Sequence, residues 1–423
     1  MQNLNGKKLL IISSDRSDVS FIEAARSLGV YTICCDKYFD HRISPAKRLA
    51  DEAWNLDYSN INEVVEKCKI SGVDGVIAGY SENRVIAACR IANAIGKPFY
   101  ATEEQINITR NKRLFKQMCR ENDIPVPHDY CIEDFMNEDR YADVRYPVIV
   151  KPADNGGRKG ITICHNRFEL RSAIHIATEQ SLNGDVVVED YIHGVELCAV
   201  YTIVDGEISL SCLNDKYISI EGKNTNKLCA FVITPSKYYE EYKECMDLKI
   251  KKLLKKMNVC NGVANFQFIA NESGIVAFEM GYRINGNDDF KVIRKYNDID
   301  FSKMLVSYSL TGTMGDSLDK DNPCFPMYNA TLVLYLHEGV IGKIDYSLLS
   351  NIDNIDDISI NQVVGNKVIE NGTNAQKAGM IKFSAKSIEE IIETIKKIEN
   401  SVRVEDIEGN DMIIPMFDAD RLR

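Results

Sequence analysis

The chain lacks most of the features that would betray a function at a glance. Among 423 residues there are one tryptophan, ten prolines and six histidines, and no low-complexity run or internal repeat. No apolar stretch approaches the ~18 residues that a membrane span requires. The amino-terminal MQNLNGKK leads only into the short run LLII, without the length or cleavage pattern of a signal peptide. A cytoplasmic protein that does not enter a membrane is the expectation. Basic clusters are missing too, and the net charge is −11; nucleic-acid backbones need a basic face, so no nucleic-acid partner is expected. The thirteen cysteines show no C-x-x-C spacing, which indicates neither a disulfide framework nor a zinc site, and they read as buried, reduced thiols. G-x-S-x-G is absent and the histidines are scattered, so a nucleophilic hydrolase is disfavoured. G-x-G-x-x-G is absent from the first strand tip, which weakens a dinucleotide reading.

What is present is a globular composition, 45% hydrophobic and 27% charged, in a chain long enough for two or three domains of roughly 100 to 200 residues each. Residues 8–101 alternate apolar runs (LLII, YTICC, GVIAGY, PFYA) with helical patterns (VSFIEAARSLG, INEVVEKCKI, NRVIAACRIANAIG). That alternation predicts a parallel sheet covered by helices, with ligands at the carboxyl ends of its strands near Ser13, Ser14, Asp15, Asp36, Gly79, Tyr80, Ser81 and Glu82. One amphipathic helix, NITRNKRLFKQMCREND, is expected next, ended by the prolines of IPVP. From residue 147 the spacing predicts antiparallel strands around a helix over 167–180, a Lys-rich helix over 240–257, and the pair GVANFQFIA and GIVAFEMG joined by NESG. The last ninety or so residues read as mixed strands and a helix.

Three segments carry chemistry. In YPVIVKPADNGGRKGITI, Lys151 stands at a strand end before Gly156, Gly157 and Gly160 with Arg158 and Lys159; such a loop either covers a phosphate with backbone N–H groups and cations or is a polar hairpin turn. In VVVEDYIHGVE, Glu189 and Glu196 flank a strand exit suited to a purine and ribose, or belong to a solvated face. In the last strand pair, Gln267 and Glu279 would project together and form an oxygen-rich site for Mg²⁺, with Arg283 four residues on as a charge stabiliser or as a salt-bridge partner of Glu279.

In order and spacing these segments resemble the ATP-grasp enzymes, in particular the branch of the carboxylate–amine ligases (including L-amino acid ligases), the carbamoyl phosphate synthetase large subunit and glycinamide ribonucleotide synthetase. The resemblance implies an α/β and α+β multidomain ATP-grasp fold, with an N-terminal parallel-sheet domain over 1–103, an ATP-grasp domain over 104–315 whose lid spans about 115–187, and a C-terminal α+β lobe over 316–423. It implies that Lys112, Lys151, Gly156, Gly157, Arg158 and Gly160 contact the phosphates of ATP, that Glu189, Tyr191 and Ile192 lie near adenine, and that Glu196 meets ribose. Gln267 and Glu279 would ligate Mg²⁺, or Mn²⁺ in its place, with Arg283 and Lys216 as catalytic cations. Three departures stand out: Asn111 replaces the usual aspartate, Gln267 stands where many members have glutamate, and Gly281 stands where an asparagine ligand is usual, so that either Asn285 or Asn287 substitutes or metal binding is weaker. The implied activity joins a small-molecule carboxylate to an amine through an acyl phosphate, with release of ADP and phosphate. A phosphoribosylamine–glycine ligase-type enzyme and a non-catalytic nucleotide-binding protein are the alternatives, and a homodimer is the expected assembly.

Overall fold

The structure, a computed structural model, describes residues 3–131, 144–154, 160–218, 228–286, 289–315 and 317–423. Its first part is built as the alternation predicts. Strands β1 (Lys8–Ile12), β2 (Tyr31–Asp36), β3 (Glu52–Asn55) and β4 (Gly75–Ile77) form a parallel sheet in the order β3-β2-β1-β4. Helices α1 (Val19–Ser27), α2 (Ile61–Ser71) and α3 (Glu82–Ala94) alternate with these strands in the chain. Two local expectations fail. PFYA is not a strand: Tyr100 there is spent on Tyr282, each hydroxyl donating to the other's carbonyl at 3.1 and 3.0 Å with the rings edge to face. The fourth strand is instead the short EAWN around the buried Trp54.

The single helix expected across residues 107–123 is two, α4 (Glu103–Arg110) and α5 (Lys112–Arg120). Asn111 breaks them because its backbone is extended and its side-chain oxygen accepts from Arg113 N at 2.9 Å and Leu114 N at 3.2 Å. The residue that departs from the resembling pattern is therefore an N-cap, a position that asparagine fills as well as aspartate.

A small lobe follows, with β5 (Asp129–Tyr130), β6 (Val148–Pro152), β7 (Thr162–Cys164), α6 (Arg167–Gln180) and β8 (Val186–Asp190), its strands ordered β5-β8-β6-β7 over a core that includes Val148, Val150, Leu170 and Val188. Next come β9 (Val195–Val204) and β10 (Glu207–Ile218), linked by Asp205 and Gly206, both left-handed as an Asp-Gly hairpin turn requires. Then follow β11 (Cys229–Thr234), α7 (Tyr239–Tyr242) and α8 (Leu248–Lys256), the last two bridged by a π-helical turn over Lys243–Asp247. β12 (Gly262–Asn271), β13 (Gly274–Gly281), α9 (Asp289–Asn297) and α10 (Phe301–Thr311) complete the central part. The remaining elements are β14 (Tyr328–Tyr335), β15 (Gly339–Asp345), β16 (Ile355–Ile360), β17 (Lys367–Val368), β18 (Lys377–Ala385), α11 (Ile388–Ser401) and β19 (Arg403–Asp406).

One long sheet ties the central and last parts together, in the order β13-β12-β9-β10-β11-β14-β18-β16. The antiparallel pairing of β11 with β14, with Phe231 opposite Leu332, carries the ladder from one to the other. A single apolar cluster joins the parallel sheet to the base of β9, β10 and β12, through residues such as Phe21, Ile77, Tyr201 and Phe266. None of the thirteen cysteines is disulfide-bonded. Cys131, Cys260 and Cys324 are exposed, against the expectation of burial, because each lies outside the strands and helices. Among the described residues no helix is long and apolar enough to cross a membrane.

Candidate functional site

The site is laid out by register. β12 and β13 form a hairpin that sets Gln267 opposite Glu279 and Asn265 opposite Gly281. Directly paired residues of antiparallel strands share a face. With Cys198 opposite Gln267 and Asn214 opposite Cys198, one row across four strands reads Glu279, Gln267, Cys198, Asn214. Two residues along β9, and therefore on the same face, Glu196 stands opposite Lys216.

Three contacts at this face are long. Gln267 Nε2 donates to Glu279 Oε2 at 3.5 Å, Lys112 Nζ lies 3.7 Å from Glu279 Oε1, and Lys216 Nζ lies 3.7 Å from Glu196 Oε2. Lys112 reaches the face because the Asn111 cap starts α5 beside it. Lys151, at the end of β6, comes from the small lobe, its Nζ 5.9 Å from the centre of the Phe278 ring, next in sequence to Glu279. Arg283 is not the salt-bridge partner of Glu279: its Nε donates to Glu82 Oε1 at 2.6 Å and its Nη1 to the Ile284 carbonyl at 2.9 Å. Burial alone would raise the Glu279 carboxyl, but the charges of Lys112, Lys151, Arg283 and Lys216 outweigh it and hold the group below its ordinary value. Four cations from four separate elements of the chain thus act on one carboxylate.

Glu189, named by the sequence beside the adenine position, is buried and turned onto two lysines: Lys151 donates to its Oε1 and Lys116 to its Oε2. The Tyr191 N–H donates to the Pro147 carbonyl at 3.1 Å, and the Tyr191 ring stands edge to face with His193; Ile192 after it is half-buried. Gly160 has φ +70°, and a Cβ there would stand 2.9 Å from Gln180 Cβ, so both backbone and space demand glycine. Gly156, Gly157, Arg158 and Asn287 lie outside the described residues. Asn285, the described candidate to stand in for a side chain at 281, donates through Nδ2 to Asp289 Oδ2 at 2.6 Å and to Cys198 Sγ at 3.6 Å. That place is filled from across the hairpin. A Cβ on Gly281 would meet Asn265 Nδ2 at 3.1 Å and Oδ1 at 3.3 Å, and Asn265 Nδ2 is fixed by the carbonyls of Gly281 and Arg283 at 3.2 and 2.9 Å.

The tips of the parallel sheet are partly spent on internal contacts. Asp36 Oδ1 pairs with Lys47 Nζ at 2.6 Å, and the carboxylate also accepts from Ser44 Oγ at 2.7 Å, from Tyr38 N at 2.9 Å and from Ser14 Oγ. Asp15 pairs with Arg84, whereas Glu82 faces the site through Arg283. Ser13 and Tyr80, at the ends of β1 and next to β4, hold positive φ of 97° and 62°, conformations that non-glycine residues adopt at some cost. Sequence reasoning missed Lys116, Asn265 and Asp289. Only for Lys116 was a signal available: Lys112, Lys116 and Arg120 recur at the four-residue spacing that places them on one helix face.

Residues 127–297 match the family model described as D-ala D-ala ligase C-terminus. Biotin carboxylase 1 of Bacillus subtilis (strain 168) is 25% identical over 296 residues, covering 66% of this chain and 65% of that protein, so the chain spans just under two thirds of this relative's length. The L-amino acid ligase from Bacillus licheniformis superposes with a TM-score of 0.78 at 17% identity, over 95% of this chain and 99% of that one. Phosphoribosylglycinamide synthetase from Anaerococcus prevotii superposes with a TM-score of 0.72 at 18% identity, over 95% and 100%. At those identities the structural likeness is one of fold, and it agrees with the α/β multidomain architecture that the sequence anticipates. The family match thus covers residues 127–297, and the solved structures share the fold of the chain as a whole.

Proposed function

We propose that the protein is an ATP- and Mg²⁺-dependent ligase that activates a small-molecule carboxylate as an acyl phosphate for attack by an amine. The observation that carries this reading is the convergence of Lys112, Lys151, Lys216 and Arg283 on Glu279 beside Gln267. Phosphoryl transfer needs little covalent help from a protein, and its demands are positioning and charge. The donor set fits a hard cation: Glu279 stays ionised, and Gln267, donating through Nε2, keeps its carbonyl oxygen for a metal. When bound, Mg²⁺, or Mn²⁺ in its place, would offset the charge of the ATP phosphates.

Lys112 and Lys151 hold phosphate oxygens, the glycine-rich segment with Gly156, Gly157, Arg158 and Gly160 covers them, and the backbone at Tyr191 and Ile192 borders adenine with Glu196 on ribose. Arg283 and Lys216 face the transferred group. An oxygen of the substrate carboxylate attacks the γ-phosphorus as its bond to the bridging oxygen breaks and ADP leaves. The amine then attacks the acyl carbon, phosphate departs, and the amine gives up a proton. A non-catalytic nucleotide-binding role is the second reading, favoured by the missing side chain at Gly281; a phosphoribosylamine–glycine ligase-type activity is a variant of the first.

The test is ADP release from Mg-ATP across a panel of amino acids, dipeptides and phosphoribosylamine with glycine, with Glu279→Gln as control. Turnover that requires one carboxylate and one amine, and is lost in the control, supports the ligase. Nucleotide binding without turnover on every pair rejects it in favour of the non-catalytic reading.

A further inference from the structure

The face of α5 that carries Lys112 continues through Lys116 to Arg120, and each of these cations meets at least one acid: Lys112 meets Glu279, Lys116 meets Glu189 and Asp129, and Arg120 shares Asp129. Lys116 is fully buried and Glu189 is 3% exposed. With Lys151 on the other oxygen of Glu189, charges of alternating sign run Arg120, Asp129, Lys116, Glu189, Lys151. The chain ends on Lys151, which lies by Phe278 at the edge of the site.

This arrangement poses a problem that Lys116 solves. If Lys151 turns to a phosphate, it must let go of Glu189. A buried carboxylate stripped of its cation is strongly disfavoured, so Glu189 alone would hold Lys151 back from any anionic ligand. Lys116 contacts the other oxygen of the same carboxylate and is shielded from solvent. Asp129 stays paired as well, because Arg120 also holds it; the carboxyl of Asp129 is kept below its ordinary value by Lys116 and Arg120 against the upward push of burial.

We infer that Lys116 is a positioning residue for nucleotide binding: by keeping the buried Glu189 paired, it frees Lys151 to move from Glu189 to the ligand's phosphates. The inference rests on the reading that Lys151 contacts nucleotide phosphate, and it adds a residue outside the site that governs when Lys151 can do so. A merely structural Lys116, pinning α5 to β8, would lower thermal stability and leave nucleotide affinity of the folded protein alone.

The experiment is a double-mutant cycle on the full chain, read by calorimetric binding of Mg-ADP and of a non-hydrolysable ATP analogue, with thermal melts alongside. Lys116→Met should weaken binding by about ten-fold or more, while Lys116→Arg, which keeps the charge, stays within about three-fold of the parent. In a Glu189→Gln background there is no buried charge to satisfy, so adding Lys116→Met should change affinity by less than about three-fold, and this pair of measurements stands even if Lys116→Met alone does not fold. Folded Lys116→Met with parental affinity, or an undiminished effect in the Glu189→Gln background, overturns the inference while leaving the nucleotide site intact. A parent protein that binds neither nucleotide overturns the nucleotide reading itself, and the inference with it.

Discussion

Two polar clusters of this molecule use the same residue types and behave differently. Around Asp36, at the end of β2, lysine, serines and backbone close on one carboxylate at 2.6 to 2.9 Å, and Lys47 spends its remaining reach on the Tyr38 carbonyl at 2.6 Å and Asn55 Oδ1 at 2.9 Å. Around Glu279 the contacts made by Lys112 and Gln267 stretch to 3.7 and 3.5 Å, and the cations that hold it ionised come from several elements at once. The first cluster is finished within itself and serves the fold. The second, the site proposed for catalysis, has the longer of these contacts, as such groups often do before a ligand draws them together. Contact length, more than composition, separates the structural knot from the proposed site.

The comparison can be broken by substitution. Lys47→Met removes the cation from a buried pair, and loss of about 3–5 kcal/mol of unfolding free energy is expected in urea titration, with the activity per folded molecule unchanged. Glu279→Gln should reverse that pattern: turnover falls by about 10²–10³-fold in a steady-state assay, while the melting temperature changes little. Gly281→Asn, which would restore the side chain seen in the resembling pattern, presses on the Asn265 amide, and a cost of about 1–3 kcal/mol is expected; Asn265→Gly in the same chain should relieve it. Asn111→Ala should cost about 1 kcal/mol through the lost cap and, by fraying the turn that carries Lys112, weaken nucleotide binding as well.

Acidity gives the smallest and sharpest contrast. Burial pushes the Asp36 carboxyl up, but Lys47, Ser14, Ser44 and the Tyr38 N–H outweigh it and hold the group below its ordinary value. A carboxyl lowered in the folded state stabilises above its unfolded value of ~3.9 and loses that contribution as pH falls through the lower folded value. The parent and Lys47→Met should therefore converge in stability as the pH drops below about 4, as measured by acid unfolding curves.

Much of this was legible from the chain alone. The hairpin holding Gln267 and Glu279 announced itself through two apolar strands and the NESG turn, and pairing then followed from the period of two. The parallel sheet was legible for the same reason, apart from its edges. EAWN is too short to show a period, and PFYA is apolar because Tyr100 packs against Tyr282, 182 residues further along the chain. The helix break at Asn111 was hidden because amphipathicity continues across it. Lys116 was hard to read for a different reason: its spacing from Lys112 and Arg120 places it on their helix face, but a lysine in a helix reads as solvated, and only Glu189, more than seventy residues on, makes it a core residue.

The long sheet has one further consequence. Because β14 lies against β11, the last hundred residues cap a strand on which Phe231 and Ile233 are buried. A chain cut after α10 would keep every residue proposed for catalysis and yet expose an unpaired, sticky border of N–H and C=O groups. Such a border is a template for self-association, so the shortened protein should precipitate before its chemistry could be assayed.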